Sequence, residues 1–398
     1  MNKNIDYNNI ADKKWDGKAI FHVDINSFYS SCEEIRNPSL KGRFHAVIMT
    51  HQESNITKGV VATCSYKAKK QGVHSAMPLS RALELCPDLI LLKVDKPYYN
   101  NISQKVMKIL ERYGDTLEQA SIDEAYLDCT NKISMLDTTV KAYAKLIKKT
   151  IKENCDGLLT SIGVATTKSV SKIASDYQKP DGLTIVYDDE LKSFLDKLEV
   201  KRISGIGAKT QKILKEEMKI NTIGQLAKTD VQTLIGRFGR KTGTWMWQVS
   251  NGKYNDPVVP RGDHVSLSAE STLEVFSRNR YELKNFLKEL VDKLYERVTN
   301  NGYQFRTVGI KLVRTDFSIE TRETSYATHK RDRKSIESVI DGLLERFSLE
   351  NKSGIDDTTT STEKILPVRK IGLKVSNLSR QDNKNFQLTR KTLLDYID

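Results

Sequence analysis

The sequence predicts an α+β fold in which two β-α-β-β-α-β units flank a basic, helix-rich middle. Three observations predict it. Short apolar runs alternate with helix-period stripes up to about residue 177, and the same order returns after residue 264. Between them the pattern changes to short helices, and residues 201–263 carry twelve Lys/Arg against five Asp/Glu. That is a net of +7, more than half of the chain's +13. A concentrated basic segment points to a polyanionic partner more strongly than net charge does. At 398 residues, 38% hydrophobic and 29% charged, the chain has room for two to four packed domains.

The elements follow in order. Ile20–Ile25 reads as a buried strand ending in an acid, and a helix runs from Ser27 to the stop at Asn37-Pro38. Residues 46–49 and 60–63 are strand-like, and a short helix follows Pro78. Residues 99–113 carry Ile102, Val106, Ile109, Leu110 and Tyr113 on one helical face. Residues 117–129 read as a hairpin around Asp123-Glu124, residues 140–151 as a helix, and 161–165 as a strand followed by a small-residue helix to Tyr177. This order predicts helices on one face of an antiparallel sheet, with a long insertion after the first strand. The pattern breaks at Lys179-Pro180-Asp181-Gly182, and residues 255–264, with Pro257 and Pro260, read as an extended linker. In the second unit, strands are expected at 265–275, 304–314, 318–328 and 368–378. Its helices carry Leu283 to Val298 and Ile336 to Phe347. Residues 351–363 read as a polar loop.

Several classes drop out. The longest aliphatic run is Leu89–Leu92, far short of the ~20 residues that span a bilayer. The polar start Met1–Asp6 lacks the apolar stretch of a signal peptide. Five widely spaced cysteines form no C-x-x-C pair, so reduced thiols are expected rather than disulfides or zinc. The six histidines show no metal-ligand spacing, so any metal is expected on carboxylates, as a hard cation such as Mg²⁺.

Asp24 closes the first strand, and Asp123-Glu124 sits about 100 residues later. Adjacent strands would bring the three acids together, at a repulsive cost that divalent cations relieve. Such a triad suits two metals clamping the attacking and leaving oxygens of a phosphoryl transfer. Read without context, the acids fit ordinary strand-end residues equally well.

The context is specific. Val23-Asp24-Ile25-Asn26-Ser27-Phe28-Tyr29 and Ala120-Ser121-Ile122-Asp123-Glu124-Ala125-Tyr126-Leu127-Asp128 resemble the two catalytic motifs of the Y-family DNA polymerases, in their DinB (DNA polymerase IV) branch. The resemblance continues through residues 61–69, 72–78, 161–165, 171–176, 179–182 and 206–207. It implies a right-hand polymerase: a ferredoxin-like palm (18–27 and 95–179), small fingers (28–94), a helical thumb with a helix-hairpin-helix-like segment (180–254), the linker (255–264), a little finger (265–378) and a flexible tail (379–398).

The resemblance also implies roles. Asp24, Asp123, Glu124 and the Ile25 carbonyl would hold two Mg²⁺ ions. Tyr29 would be the steric gate that selects deoxynucleoside triphosphates. Phe28, Thr63, Tyr66, Lys69 and Lys172 would bind the triphosphate. Ala62 and Ala76 would face the nascent base pair, although small residues serve packing equally well. Two positions depart from the family: Asn26 stands where a second acid is usual, and Lys69 where arginine is frequent, with the loss of the bidentate fork. Gly205, Gly207 and Lys209 would approach the DNA backbone, as would Arg314, Arg322, Arg369 and Lys374. The tail residues Leu393, Tyr396 and Ile397 resemble a sliding-clamp peptide. The implied activity is lesion-bypass synthesis on primer-template DNA, with low fidelity and processivity and no proofreading exonuclease, by a cytoplasmic, nucleoid-associated monomer. The alternatives are a nucleotidyl cyclase built on a similar palm, disfavoured by the basic middle segment, and a DNA-binding scaffold with a dead site, disfavoured by the intact acids.

Overall fold

The computed structural model describes residues 13, 15–50, 59–260, 262–350 and 365–380. The chain divides into two compact units, at residues 261/262, inside the stretch expected to be a linker.

The first unit is built on β1 (Ile20–Ile25), α1 (Phe28–Arg36), β2 (His45–Met49), β3 (Val60–Cys64), α2 (Tyr66–Lys70), α3 (Leu79–Leu85), β4 (Ile90–Lys93) and α4 (Lys96–Leu110). It continues through β5 (Thr116–Gln119), β6 (Glu124–Asp128), α5 (Thr130–Met135), α6 (Val140–Asn154), β7 (Thr160–Ala165), α7 (Lys168–Ser175) and β8 (Leu183–Ile185). The main sheet runs β5-β6-β1-β7-β8, and a smaller one runs β3-β2-β4. In the central strand β1, Phe21, Val23 and Ile25 enter the core under α4 and α6, with Tyr99, Val106, Tyr143 and Ile147. The alternate residues His22 and Asp24 therefore face the other way. Asp95 and Thr139 cap α4 and α6 by accepting from Tyr98 N–H and Ala142 N–H.

The helices do not all share one face. α7 crosses the opposite side of the sheet, because Gly163 gives it room. A Cβ there would lie 2.0 Å from the Ser171 carbonyl oxygen and 2.3 Å from the Ser175 nitrogen. Two strands escaped the periodicity reading. β4 pairs parallel with β2. β8 pairs parallel with β7 and carries the sheet past residue 179.

Five helices follow: α8 (Asp188–Asp196), α9 (Ala208–Lys212), α10 (Ile223–Lys228), α11 (Val231–Phe238) and α12 (Arg240–Ser250). Leu195, Ile206, Leu214, Ile223, Leu234 and Met246 close a core with Val170 and Ile173 of α7. Residues 254–260 have no regular structure. They are pinned where Lys168 Nζ meets Glu118 Oε2 at 2.8 Å and Asp256 Oδ2 at 3.0 Å.

The second unit holds β9 (Ser266–Ser277), α13 (Arg280–Asn300), β10 (Tyr303–Arg314), β11 (Ile319–Lys330), α14 (Arg333–Glu337), α15 (Ile340–Leu344), β12 (Val368–Ser376) and β13 (Ser379–Arg380). Its sheet order is β11-β10-β12-β9, all antiparallel. Leu287, Leu290 and Leu294 of α13 pack on Ile310, Leu312, Ile371 and Leu373. The single second helix expected over 336–347 is instead two short ones. β13, in the stretch expected to be tail, pairs with the start of β10.

Candidate active site

Backbone pairing assembles the acids. Asp24 lies directly opposite Glu124 in the β1–β6 register, and the Ile25 N–H donates to the Asp123 carbonyl at 2.9 Å. The Ser121 hydroxyl shapes the turn before β6. It accepts from the N–H groups of Asp123 and Glu124 and donates to Asp123 Oδ1 at 2.5 Å.

Each of the two paired acids is held by a lysine. Lys179 Nζ lies 2.7 Å from Asp24 Oδ2 and 2.6 Å from Asp176 Oδ1. Lys172 Nζ lies 2.6 Å from Glu124 Oε1. Burial pushes the Asp24 carboxyl up to about 7, and Lys179 only partly offsets it while Glu124 adds to the rise. Burial alone would lower the Lys179 ammonium, but Asp24 and Asp176 hold it well above its ordinary value. Among the described residues no three His, Cys, Asp or Glu side chains converge on one point. The backbone brings the acids together, and the lysines turn Asp24 and Glu124 toward themselves. The donor set is three carboxylates, with Ile25 beside them, and it fits a hard divalent cation.

A cleft of about 340 Å³ opens beside the acids, lined by Asp24, Ile25, Ser27, Phe28, Tyr29, Ala62, Thr63, Lys69, Ser75, Ile122, Asp123 and Lys179. Tyr29 is stacked on Tyr99, centroids 4.4 Å apart and planes 16° apart. Tyr99 is in turn fixed by donating to Glu33 Oε1 at 2.7 Å. Lys69 Nζ donates to Ser27 Oγ at 2.6 Å and sits 4.6 Å from the Tyr66 ring centroid. Ala62 and Thr63 are neighbours in β3. Ala76, at φ 65, donates its N–H to the Val61 carbonyl.

Of the expected site residues, Tyr66, Ala76, Glu124 and Lys172 are not among those lining the cleft, whereas Lys179, outside the expected set, is. Asn26 is a buried structural bridge: it accepts from Asp181 N–H at 2.7 Å and donates to Ser161 Oγ at 2.9 Å. Together with Lys148, which reaches Asp181 Oδ1 at 2.8 Å and the Gly182 carbonyl at 2.9 Å, it fixes the loop that presents Lys179.

The other basic residues divide. Gly205 has φ +103, and a Cβ there would lie 2.9 Å from the Trp245 ring. Gly207 caps α9, and Lys209 is exposed. Arg314 is only 5% exposed, and its guanidinium is spent on Glu320 Oε1 and the carbonyls of Leu366 and Ser348. Arg322 lies over the Phe347 ring and donates to the Arg346 carbonyl. Arg314, buried on internal partners, corrects the expectation that it meets phosphate, while Arg322 is half-buried. Arg369 covers the Phe317 ring at 4.7 Å, and Lys374 pairs with Glu323 at 3.2 Å. Leu393, Tyr396 and Ile397 lie outside the described residues.

Comparison with known proteins settles the family. Residues 23–176 match the impB/mucB/samB family, residues 264–389 that family's C-terminal domain, and residues 198–253 the DNApol eta/Rev1 HhH motif. The chain is 41% identical over 330 residues to DNA polymerase IV of Methanoculleus marisnigri, covering 83% of this chain and 90% of that one. The chain belongs to the Y-family DNA polymerases. A second DNA polymerase IV, from Nitrosopumilus maritimus, is 35% identical and covers 91% of this chain and 96% of its own. Among solved structures, a Y-family DNA polymerase chimera Dbh-Dpo4(243-245)-Dbh matches with TM-score 0.77 at 27% identity, over 91% of this chain and 99% of its own. DinB from Sulfolobus solfataricus matches with TM-score 0.60 at 27% identity, over 90% and 98%. As a Y-family member, the chain is a DNA-directed DNA polymerase of the translesion type, with an activity that depends on divalent metal. The α+β right-hand polymerase class expected from the sequence stands. No helix of the described residues is long and apolar enough to cross a membrane.

Proposed function

We propose that Asp24, Asp123 and Glu124, with the Ile25 carbonyl, hold two Mg²⁺ ions and that the cleft beside them takes the incoming deoxynucleoside triphosphate. The observation that carries this reading is the register pairing of Asp24 with Glu124 next to a cleft lined by Asp24 and Asp123 together with Tyr29, Thr63, Lys69 and Lys179. Bound cations would stabilise charge on the reacting oxygens, as such pairs do in phosphoryl transfer. The chain's own residues bind and orient. Lys69, Tyr66 and Thr63 offer donors to the phosphates beside the Phe28 backbone. Lys179 joins them from its anchored loop, and Lys172 holds Glu124. Tyr29, backed by Tyr99, gives the sugar a floor that a 2′-hydroxyl would strike. Ala62 and Ala76 leave room around the base pair. The primer 3′-oxygen attacks the α-phosphate and pyrophosphate leaves.

The palm is then residues 18–27 and 95–179 extended through β8, with fingers at 28–94 and a thumb ending at 254. The little finger, 265–378, meets primer-template DNA through the sheet face that carries Lys374, with Arg369 at its margin, and the thumb meets it through Gly205, Gly207 and Lys209. The tail binds a sliding clamp, and the enzyme works as a monomer on nucleoid DNA. Primer extension on undamaged and lesion-bearing templates tests the site. Asp123→Ala and Glu124→Ala are expected to lose extension while retaining DNA binding. Robust synthesis by either would refute the assignment.

A further inference from the structure

The four-stranded sheet of the second unit has one face under α13, α14 and α15 and, among the described residues, no helix on the other. On the open face, two glycines sit diagonally. Gly309 of β10 is opposite Glu323 of β11, and Gly372 of β12 is opposite Glu270 of β9. Each glutamate stem lies flat over its glycine. A Cβ at 309 would fall 2.8 Å from Glu323 Cγ, and one at 372 would fall 2.7 Å from Glu270 Cγ. Both carboxylates hold this face's lysines. Glu270 pairs with Lys311 at 3.0 Å and also with Lys370. Glu323 pairs with Lys374 at 3.2 Å. Burial pushes the Glu270 carboxyl up, but Lys370 and Lys311 together hold it below its usual value, so it stays ionised at neutral pH.

We propose that Glu270 and Glu323 are built-in competitors for DNA phosphate: each is seated over a glycine and occupies lysines that the duplex backbone must recruit. The inference rests on the reading that this face meets the duplex. Three lysines against two carboxylates leave a net +1 on a patch that would otherwise be +3. A strand approaching the face must draw Lys311, Lys370 and Lys374 away from carboxylates that remain charged beneath it. Cross-strand pairs of this kind add little stability at a surface, so their main effect falls on the docking step. The carboxylates thus loosen the enzyme's hold on DNA.

The test is fluorescence anisotropy of a labelled primer-template duplex across a salt series, using the full chain. Glu270→Gln/Glu323→Gln is expected to bind roughly tenfold tighter at moderate salt. Its salt dependence should steepen by about 0.9 in log–log slope for each additional phosphate that the lysines neutralise. Glu289→Gln/Glu296→Gln, on α13 behind the sheet, makes the same change in net charge and is expected to alter neither by a comparable amount. Equal tightening by the two doubles, or none by the first, overturns the proposal. Lys311→Gln/Lys370→Gln/Lys374→Gln separates the two failures. If it weakens binding while the first double changes nothing, only the competition is wrong. If it too changes nothing, the face does not meet DNA and both readings fall.

Discussion

Replacing Asp24 by asparagine should stabilise the metal-free protein while abolishing synthesis. The carboxyl is buried against Glu124 and titrates at about 7 rather than its ordinary 3.8. Between those values the folded chain keeps a proton that the unfolded chain has lost. Stability therefore falls as pH rises from about 4 to about 7 and levels off above. The loss over that window is on the order of a few kcal/mol, at up to 1.36 kcal/mol per pH unit, shared with the Lys179 ammonium that titrates with it. Asparagine mimics the protonated acid and removes the loss. Urea unfolding in EDTA at pH 5 and pH 8 measures it. The variant should match wild type at pH 5 to within about 1–2 kcal/mol and exceed it by a few kcal/mol at pH 8. Added Mg²⁺ should stabilise wild type far more than the variant. Equal pH dependence in the two proteins would falsify the buried-carboxylate reading of Asp24.

Four further outcomes are expected. Tyr29→Ala should lower discrimination against ribonucleotides by roughly 10–100-fold in single-nucleotide insertion, with Tyr29→Phe close to wild type; unchanged sugar selection removes the gate. Asn26→Ala should cost about 2 kcal/mol, from two buried hydrogen bonds, and raise the KM for nucleotide by loosening the Lys179 loop; an unchanged KM detaches that loop from substrate binding. Gly163→Ala should cost about 3 kcal/mol or more in thermal or urea unfolding, because α7 has no room to retreat; a normal melt would contradict the close helix–strand contact. Deleting residues 381–398 should leave extension on short templates intact and remove stimulation by a sliding clamp; full stimulation places clamp binding elsewhere.

The features legible in the sequence were those with long or repeated signals. The stripes of α4, α6 and α13 and the inward residues of β1 follow from periodicity, and the three acids follow from their motifs. The features missed depend on tertiary context. β8 is three residues long and follows Lys179-Pro180-Asp181-Gly182, which reads as a turn. The same reading hid Lys179, whose place in the cleft is set by Asn26 after β1, Ser161 of β7 and Lys148 of α6 holding its loop. β4 was an aliphatic run with no alternation, and its parallel partner β2 lies about 40 residues away in sequence. Arg314 was read as an available charge, because a sequence does not show that Glu320 and nearby carbonyls consume its donors. The turn of α7 onto the second face rests on one glycine, where periodicity is silent.

The arrangement of lysines explains how such a site folds without cations. Asp24, Glu124 and Asp176 supply three negative charges at close range, and Lys172 and Lys179 return two positive ones through contacts of 2.6–2.7 Å. Burial is the main reason Asp24 remains hard to ionise despite its lysine, and the charges of Glu124 and Asp176 add to it. Asp24 lines the polar cleft beside Lys179, whose loop is anchored by Asn26, Ser161 and Lys148. At the proposed site, a cation would compete with these lysines for the carboxylates, and the phosphates would take up the lysine released. Each would then make room for the other, which would favour joint binding over either alone.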